Sequence, residues 1–323
     1  MDLLKSLVHL FVYPGLLFLF VYSTFVEWVD RKLYARFQNR RGPLYTGRSG
    51  LLQPIADFVK LMAKEDIVPK GADKALFTAA PIIGLAAVLT AGLLLPLWHY
   101  TPFAESATSF RGDIIVMAYL LSLPTMAYFV AGWSSASMFA SLGAVRAMTL
   151  LFSYEVPLFL AFLAPAMFTG SWRMAEIAQF YQAHPQFLPI NIIAFGVAII
   201  ALQAKLERLP FDIPEAETEI VGGPLTEVSG RKLAMFRLLV DIQMVVGAGF
   251  IATLFLGGFP GGLIMALIWF VIKTMFVVFI LSLIRSTVAR IRIDQMVRFS
   301  WSYLAPLAIL QQLIIVLVRG FMQ

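Results

Sequence analysis

Apolar windows near twenty residues long recur eight times along the chain, beginning near Leu3, Leu76, Ile114, Leu150, Phe187, Ala234, Gly261 and Trp301. About twenty apolar residues are what an α-helix needs to cross a ~30 Å hydrocarbon layer. The pattern therefore predicts one all-α membrane domain over residues 1–323, an integral helical bundle of about eight transmembrane helices. Three of the odd-numbered polar intervals are too long for simple connectors: 26–75, 205–233 and 285–300. Within the first, LLQPIADFVKLMAK sets Leu51, Leu52, Ile55, Val59 and Met62 at helical spacing and turns Gln53, Asp57, Lys60 and Lys64 elsewhere. This spacing predicts an amphipathic helix on the membrane surface, packed on neighbouring spans or gating a lipid-facing opening. The N-terminal apolar run lacks a small-residue cleavage site and reads as a retained first span. No inverted internal repeat of the transporter kind is evident by eye.

Composition agrees with the pattern, at 60% hydrophobic and 14% charged residues and a mean hydropathy of +0.82. These values exclude a water-soluble globule. Of the 25 Lys and Arg, 19 fall in the odd-numbered loops. The positive-inside bias then predicts a cell inner or plasma membrane protein with its odd loops cytoplasmic and both termini outside. The net charge of +6 is this topology and needs no nucleic-acid partner. With no cysteine, and only His9, His99 and His184, the chain offers too few ligands for an iron–sulfur cluster, and bis-histidine haem would need two of the three at one site. No glycine-rich nucleotide loop is present. The expectation is a chain with no redox cofactor and no metal of its own.

The chemistry concentrates in carboxylates. Six of them, Glu207, Asp212, Glu215, Glu217, Glu219 and Glu227, lie in ERLPFDIPEAETEIVGGPLTEVSG, between two apolar spans. Acids held near hydrocarbon are costly and usually serve ion or proton movement. A helix beginning near Pro214 would set Asp212, Glu215 and Glu219 on one face and turn Glu217 away. Asp212, Pro214 and Glu215 also resemble a helix start, where acids satisfy free amides. Capping leaves Glu219 and Glu227 unexplained, and close like charges repel unless protons or cations compensate them. Glu155 and Asp241 fall within predicted spans, where an ionised group costs on the order of 2.5 to 3.5 kcal/mol on insertion scales. Each suits either a proton relay or a buried ion pair, with Lys273 of the seventh span as a candidate partner.

The order of these motifs resembles the H subunit of respiratory complex I and its relatives in membrane-bound hydrogenase and sulfur reductase complexes. The resemblance covers nearly the whole chain: DRKLYARFQNRRGP with GLLQPIADFVKLMAKEDIVP, GWSSASMFASLGAVRAMTLLFSYE, the acidic loop, FLGG at Phe255–Gly258, and RSTVARIRIDQM at Arg285–Met296. It implies a membrane subunit without redox centres, docked on a soluble arm made of an iron–sulfur small subunit and a hydrogenase-like large subunit that carries nickel–iron in some members. Antiporter-like membrane subunits would lie beside it, and a quinone would be bound in the quinone-reducing branch. By residue matching, Asp30 and Arg31 stand at the chamber entrance, Asp57 on the surface helix, and Glu155 in the fourth span. Asp212, Glu215, Glu217, Glu219 and Glu227 match the loop acids, while Arg146, Arg290, Arg292 and Asp294 match docking or loop-ordering positions.

Departures from that pattern carry information. AKLERLPFD replaces AETNRPPFD, so Lys205 stands for an acid and Glu207 for an amide; Val228 replaces a tyrosine, and Asp241 follows the position of the usual sixth-span acid by one residue. The run GGPLTE leans toward the hydrogenase or sulfur-reductase branch, whereas GLLQP leans toward complex I. The expectation is thus a non-redox subunit of an ion-translocating oxidoreductase complex, linking electron transfer in the soluble arm to proton or sodium translocation. The quinone-chamber subunit is the alternative within the family. A stand-alone secondary transporter and a purely structural anchor are the alternatives outside that mechanism.

Overall fold

The structure, a computed structural model of the chain, describes residues 2–97 and 109–322; His99 lies outside them. Among the described residues there is no strand, and eight helical segments are long and apolar enough to cross a membrane: Leu7–Phe37, Lys74–Leu94, Asp113–Ser134, Met138–Thr169, Pro185–Lys205, Gly230–Phe255, Leu263–Thr287 and Ile293–Gly320. The all-helical membrane bundle expected from hydropathy is what the chain forms.

The sixth span organises the bundle. It is buried over 83% of its apolar window, against 28% for each of the last two spans, so one helix is wrapped by protein while the others keep a face for lipid or neighbouring subunits. Sequence permits this because Gly247 and Gly249 leave room for Leu202 and Leu95: a Cβ on Gly247 would lie 2.6 Å from Leu202 Cδ1. Small residues at such crossings let membrane helices approach closely where no hydrophobic gradient draws them together.

Helix labels follow chain order. A short α1 (Asp2–Phe11) leads into α2 (Leu16–Phe37), the surface helix is α3 (Gln53–Ala63) and the second span is α4 (Lys74–Leu94). The third span is broken into α5 (Asp113–Leu120) and α6 (Leu123–Ser134). Pro124 has no N–H to return to the carbonyl of Leu120, and at the same break Gln243 Nε2 donates to the Leu121 carbonyl at 3.2 Å. The fourth span is α7 (Met138–Thr169), followed by the short α8 (Met174–Ala183) and by α9 (Ile192–Lys205) of the fifth span. One turn, α10 (Glu217–Ile220), precedes the central α11 (Gly230–Phe255); α12 (Leu263–Thr287), α13 (Ile293–Phe299) and α14 (Ala305–Met322) complete the chain.

Three sequence expectations need correction. The first span does not end near Val26: α2 runs to Phe37, because Glu27, Asp30 and Arg31 are paired inside the protein and so remain helical. No helix begins at Pro214. Residues 206–216 are irregular and only Glu217–Ile220 form a helical turn, so Asp212, Glu215 and Glu219 do not share a helix face. Finally, the interval 285–300 is mostly helix, with α12 reaching Thr287 and α13 beginning at Ile293.

The surface helix forms as its periodicity predicts. Pro54 is buried in its first turn, Phe58 meets Phe20 edge-on at 5.4 Å, and Leu51, Leu52, Ile55 and Val59 point outward. An outward apolar row at this level suits the interface between headgroups and acyl chains.

Candidate functional site

The fifth loop is held in place by turns and by ion pairs to distant segments. Gly223 has a φ of +54°, and a Cβ there would sit 1.8 Å from the Pro214 carbonyl oxygen, so only glycine closes this turn. The turn wedges against the third and fourth spans, where a Cβ on Gly143 would meet Gly223 Cα at 2.6 Å. Arg290 binds Asp212, and Arg146 binds Glu219 at 2.5 Å. The Ile291 amide donates to the Pro210 carbonyl at 3.2 Å, and Gln203 Nε2 donates to Leu209 at 2.6 Å.

Beneath the loop lies a buried charge cluster built on one face of α2. Asp30, 0% exposed, accepts from Arg208 at 2.8 Å, Arg285 at 2.9 Å and Ser282 at 2.5 Å. One turn away, Glu27 accepts from Arg31 at 2.6 Å and from Arg208 at 3.3 Å, and Arg31 reaches Asp57 of the surface helix at 2.7 Å. Burial by itself would raise the Asp57 carboxyl, but hydrogen bonds from Arg31 and Gln53 outweigh it and hold the group below its ordinary range.

Between this cluster and the loop is a cavity of about 490 Å³. Its acids are Glu27, Glu207, Asp212, Glu215, Glu217 and Asp241. Its cations are Arg31, Lys205, Arg208, Arg237 and Arg285. Among the loop acids, burial raises Glu215 to about 7, reinforced by Asp212 and Glu217 and opposed by Arg237. Burial also pushes Glu207 well above its ordinary value, with Glu215 and Asp212 adding repulsion. Asp212 is raised in spite of Arg290, because its burial dominates. Glu207 adopts a φ of +50°, and its buried Oε2 has no hydrogen-bond partner. A carboxyl so placed is a proton acceptor that lacks stabilising donors.

At the inner end of the cavity, Lys205 Nζ donates to Ser122 Oγ at 3.0 Å, and Ser122 in turn donates to Glu155. A narrow cleft of about 30 Å³ lies between α2, α3 and α11; it is lined by Arg31, Asp57, Arg237 and Asp241, with Phe58 and Leu61 beside them.

Most of the sequence-expected residues therefore converge, and a few do not. Asp30, Arg31, Asp57, Lys205, Glu207, Asp212, Glu215, Glu217 and Asp241 line the cavity or bind a residue that does, and Glu155 is linked to it through Ser122 and Lys205. Arg146, Glu219, Arg290, Arg292 and Asp294 gather instead at a shallow groove of about 170 Å³ formed by the fifth and seventh loops. Glu227 is half-buried and lines neither. Among the described residues Lys273 pairs with no acid: its Nζ donates to the carbonyls of Leu256 at 2.6 Å and Gly258 at 2.5 Å. It caps the unpaired, electronegative end of α11, which explains a cation in the seventh span.

Glu27, Arg208, Arg237, Arg285, Ser282 and Ser122 were not among the expected site residues. Glu27, Asp30 and Arg31 at i, i+3 and i+4 would have marked one helix face had the first span been carried past Val26. The other partners are joined to it only by tertiary contact.

With this geometry in view, comparison with known proteins places the chain. Residues 10–316 match the family model for NADH dehydrogenase. The chain belongs to that family. It is 38% identical to the H subunit of the NADH-quinone oxidoreductase of Dehalococcoides mccartyi over 306 residues, covering 94% of this chain and 84% of the relative. Against NADH-quinone oxidoreductase subunit 8 of Thermus thermophilus it is 38% identical over 320 residues, covering 97% and 86%. A solved structure of the membrane-bound sulfane sulfur reductase, an archaeal respiratory membrane complex, superposes with a TM-score of 0.82 at 26% identity, covering 97% of this chain and 99% of that one. This family member is thus a membrane subunit of a complex I-like oxidoreductase complex, and both branches weighed from its motifs are represented among its relatives.

Proposed function

We propose that the chain couples electron transfer in a soluble iron–sulfur arm to proton or sodium translocation by neighbouring membrane subunits, holding no redox group itself. The observation that carries this reading is the 490 Å³ cavity, in which acids with raised proton affinity face arginines anchored on α2 and α12. A change of charge or shape at the loops would alter proton occupancy at Glu215 and Glu207, and through Lys205 and Ser122 would reach Glu155. The loop groove around Arg146, Arg290, Arg292 and Asp294 suits docking of the soluble arm. The charged lining favours the hydrogenase or sulfur-reductase branch, because an apolar quinone ring gains little among six carboxylates and five cations.

The quinone reading has its own support. The cleft between α2, α3 and α11 lies beside the outward apolar row of the surface helix, and the curated relatives at 38% identity are named for quinone. Turnover of the purified complex with a soluble quinone as sole acceptor would select it over the first branch.

In the intact complex, replacement Glu155→Gln is expected to lower ion translocation per electron at least tenfold while the soluble arm still co-purifies. Undiminished translocation per electron would refute the coupling role, and ion transport by the isolated chain in vesicles would select a stand-alone transporter. Sidedness is testable directly, since the chain has no cysteine. A single Tyr45→Cys substitution, at a position 97% exposed in the first loop, should react with an impermeant maleimide only from the cytoplasmic side. Labelling from outside would invert the topology.

A further inference from the structure

Two side chains, Lys205 and Ser122, stand between the charged cavity and Glu155. Lys205 is the last residue of α9, only 2% exposed, and forms part of the cavity wall. Its ammonium has three N–H donors. The structure offers them one hydrogen-bond acceptor, Ser122 Oγ at 3.0 Å, together with the face of the Tyr154 ring at 5.5 Å. Among the described residues no carboxylate lies within 4.0 Å of this nitrogen. By contrast Lys232, also buried, holds Asp66 at 2.6 Å. A buried ammonium is ordinarily paired with a carboxylate and fully hydrogen-bonded, whereas this one is held by a single hydroxyl.

Ser122 sits where the third span breaks, between α5 and α6. Its hydroxyl faces two acceptors, the Ala118 carbonyl at 3.1 Å and Glu155 Oε1. It can therefore donate to the carboxylate in one state and turn to the backbone carbonyl in the other. Glu155 itself is half-buried, between the outward-facing Phe152 and Val156 of α7.

We propose that Lys205 is the proton-carrying residue between the cavity and Glu155, acting through the hydroxyl of Ser122; this assignment rests on the coupling role proposed above. The transfer is balanced. A proton leaves Lys205 Nζ for Ser122 Oγ as the Ser122 hydroxyl proton passes to Glu155, converting ammonium and carboxylate into amine and carboxylic acid. The pair has zero net charge before and after, so the step moves a proton without leaving a charge uncompensated between helices. The amine is then reprotonated from water or an acid of the cavity.

The test uses the intact complex and reads protons translocated per electron. Lys205→Arg keeps the positive charge but holds a group that does not deprotonate in proteins, and Ser122→Ala keeps Lys205 but removes the connecting hydroxyl. Each is expected to lower the yield at least tenfold. In infrared difference spectra between oxidised and reduced complex, the carboxylic-acid band that Glu155→Gln abolishes should lose its redox response in both variants. A purely structural Lys205 would leave that response in place. Full yield in Lys205→Arg and Ser122→Ala, with yield lost in Glu155→Gln, overturns the role of Lys205 alone; full yield in all three overturns the coupling role beneath it. Should Lys205→Arg fail to assemble, Ser122→Ala decides the outcome.

Discussion

Replacing Asp30 with asparagine is expected to destabilise the subunit by about 3–5 kcal/mol, the range for removing one partner from a buried ion pair. Asparagine keeps the shape of the side chain and one acceptor for Ser282, so the change isolates charge. It leaves the guanidinium groups of Arg208 and Arg285, now 2.8 and 2.9 Å from a carboxylate oxygen, facing a neutral amide. Arg208 retains Glu27 at 3.3 Å, whereas Arg285 keeps the face of Tyr34, 4.4 Å from its guanidinium carbon, and the more distant charge of Asp212, and its Nε already lacks a hydrogen-bond partner. The measurement is the temperature at which half of the assembled complex is lost from native membranes. A second substitution, Arg285→Met, should restore part of the loss, since it removes the cation that asparagine strands. Unchanged thermal stability in Asp30→Asn would mean that the cluster does not hold the first span, the fifth loop and the seventh span together.

That cluster also marks where the sequence stops being informative. Hydropathy located eight spans because crossing a bilayer requires an apolar run whatever the neighbours are, and the surface helix was legible because one face must stay apolar at an interface. The acids of the fifth loop stood out because carboxylates are rare between such runs. Their arrangement did not. Spacing alone put Asp212, Glu215 and Glu219 on one helix, yet Pro210 and Pro214 restrict the backbone, Gly223 permits a tight turn against Pro214, and Arg290 and Arg146 draw the side chains to separate places. Asp30 was found only by resemblance, since its partners are 178 and 255 residues away along the chain. Lys205 was conspicuous as a cation where an acid was expected, but its link to Glu155 passes through Ser122, an ordinary serine 83 residues earlier. Lys273 shows the converse: an intramembrane charge with an evident functional reading, which the fold uses to close the end of a helix.

Glu215 carries a pH signature outside the spans that falls near neutrality. Its carboxyl is raised from 4.5 to about 7, first by burial and then by Asp212 and Glu217. The sign of the linked stability follows. Below about pH 4.5 the acid is protonated in folded and unfolded chains alike and contributes no slope. Between 4.5 and 7 the unfolded chain has released the proton that the folded chain keeps, so stability falls as pH rises, and it levels off above 7. Glutamine resembles the protonated acid and cannot ionise, so Glu215→Gln should match the parent near pH 4 and exceed it in stability above pH 7. One pKa unit corresponds to about 1.4 kcal/mol, and solvent entering the cavity screens part of the total, which leaves an expected gain of about 1–2 kcal/mol at pH 8. Removing this charge also relieves Glu207, which then ionises more readily in the folded chain and adds to the gain in stability. Function should move the other way: if Glu215 takes the proposed part in coupling, the variant loses its proton exchange near neutrality, and translocation per electron falls and becomes flat between pH 6 and 8. Thermal denaturation of the assembled complex across that range, with translocation measured on the same preparations, reads both effects. A variant no more stable than the parent at pH 8 would mean that Glu215 is ionised there without penalty, which would remove it from the set of groups able to hold a proton at neutral pH.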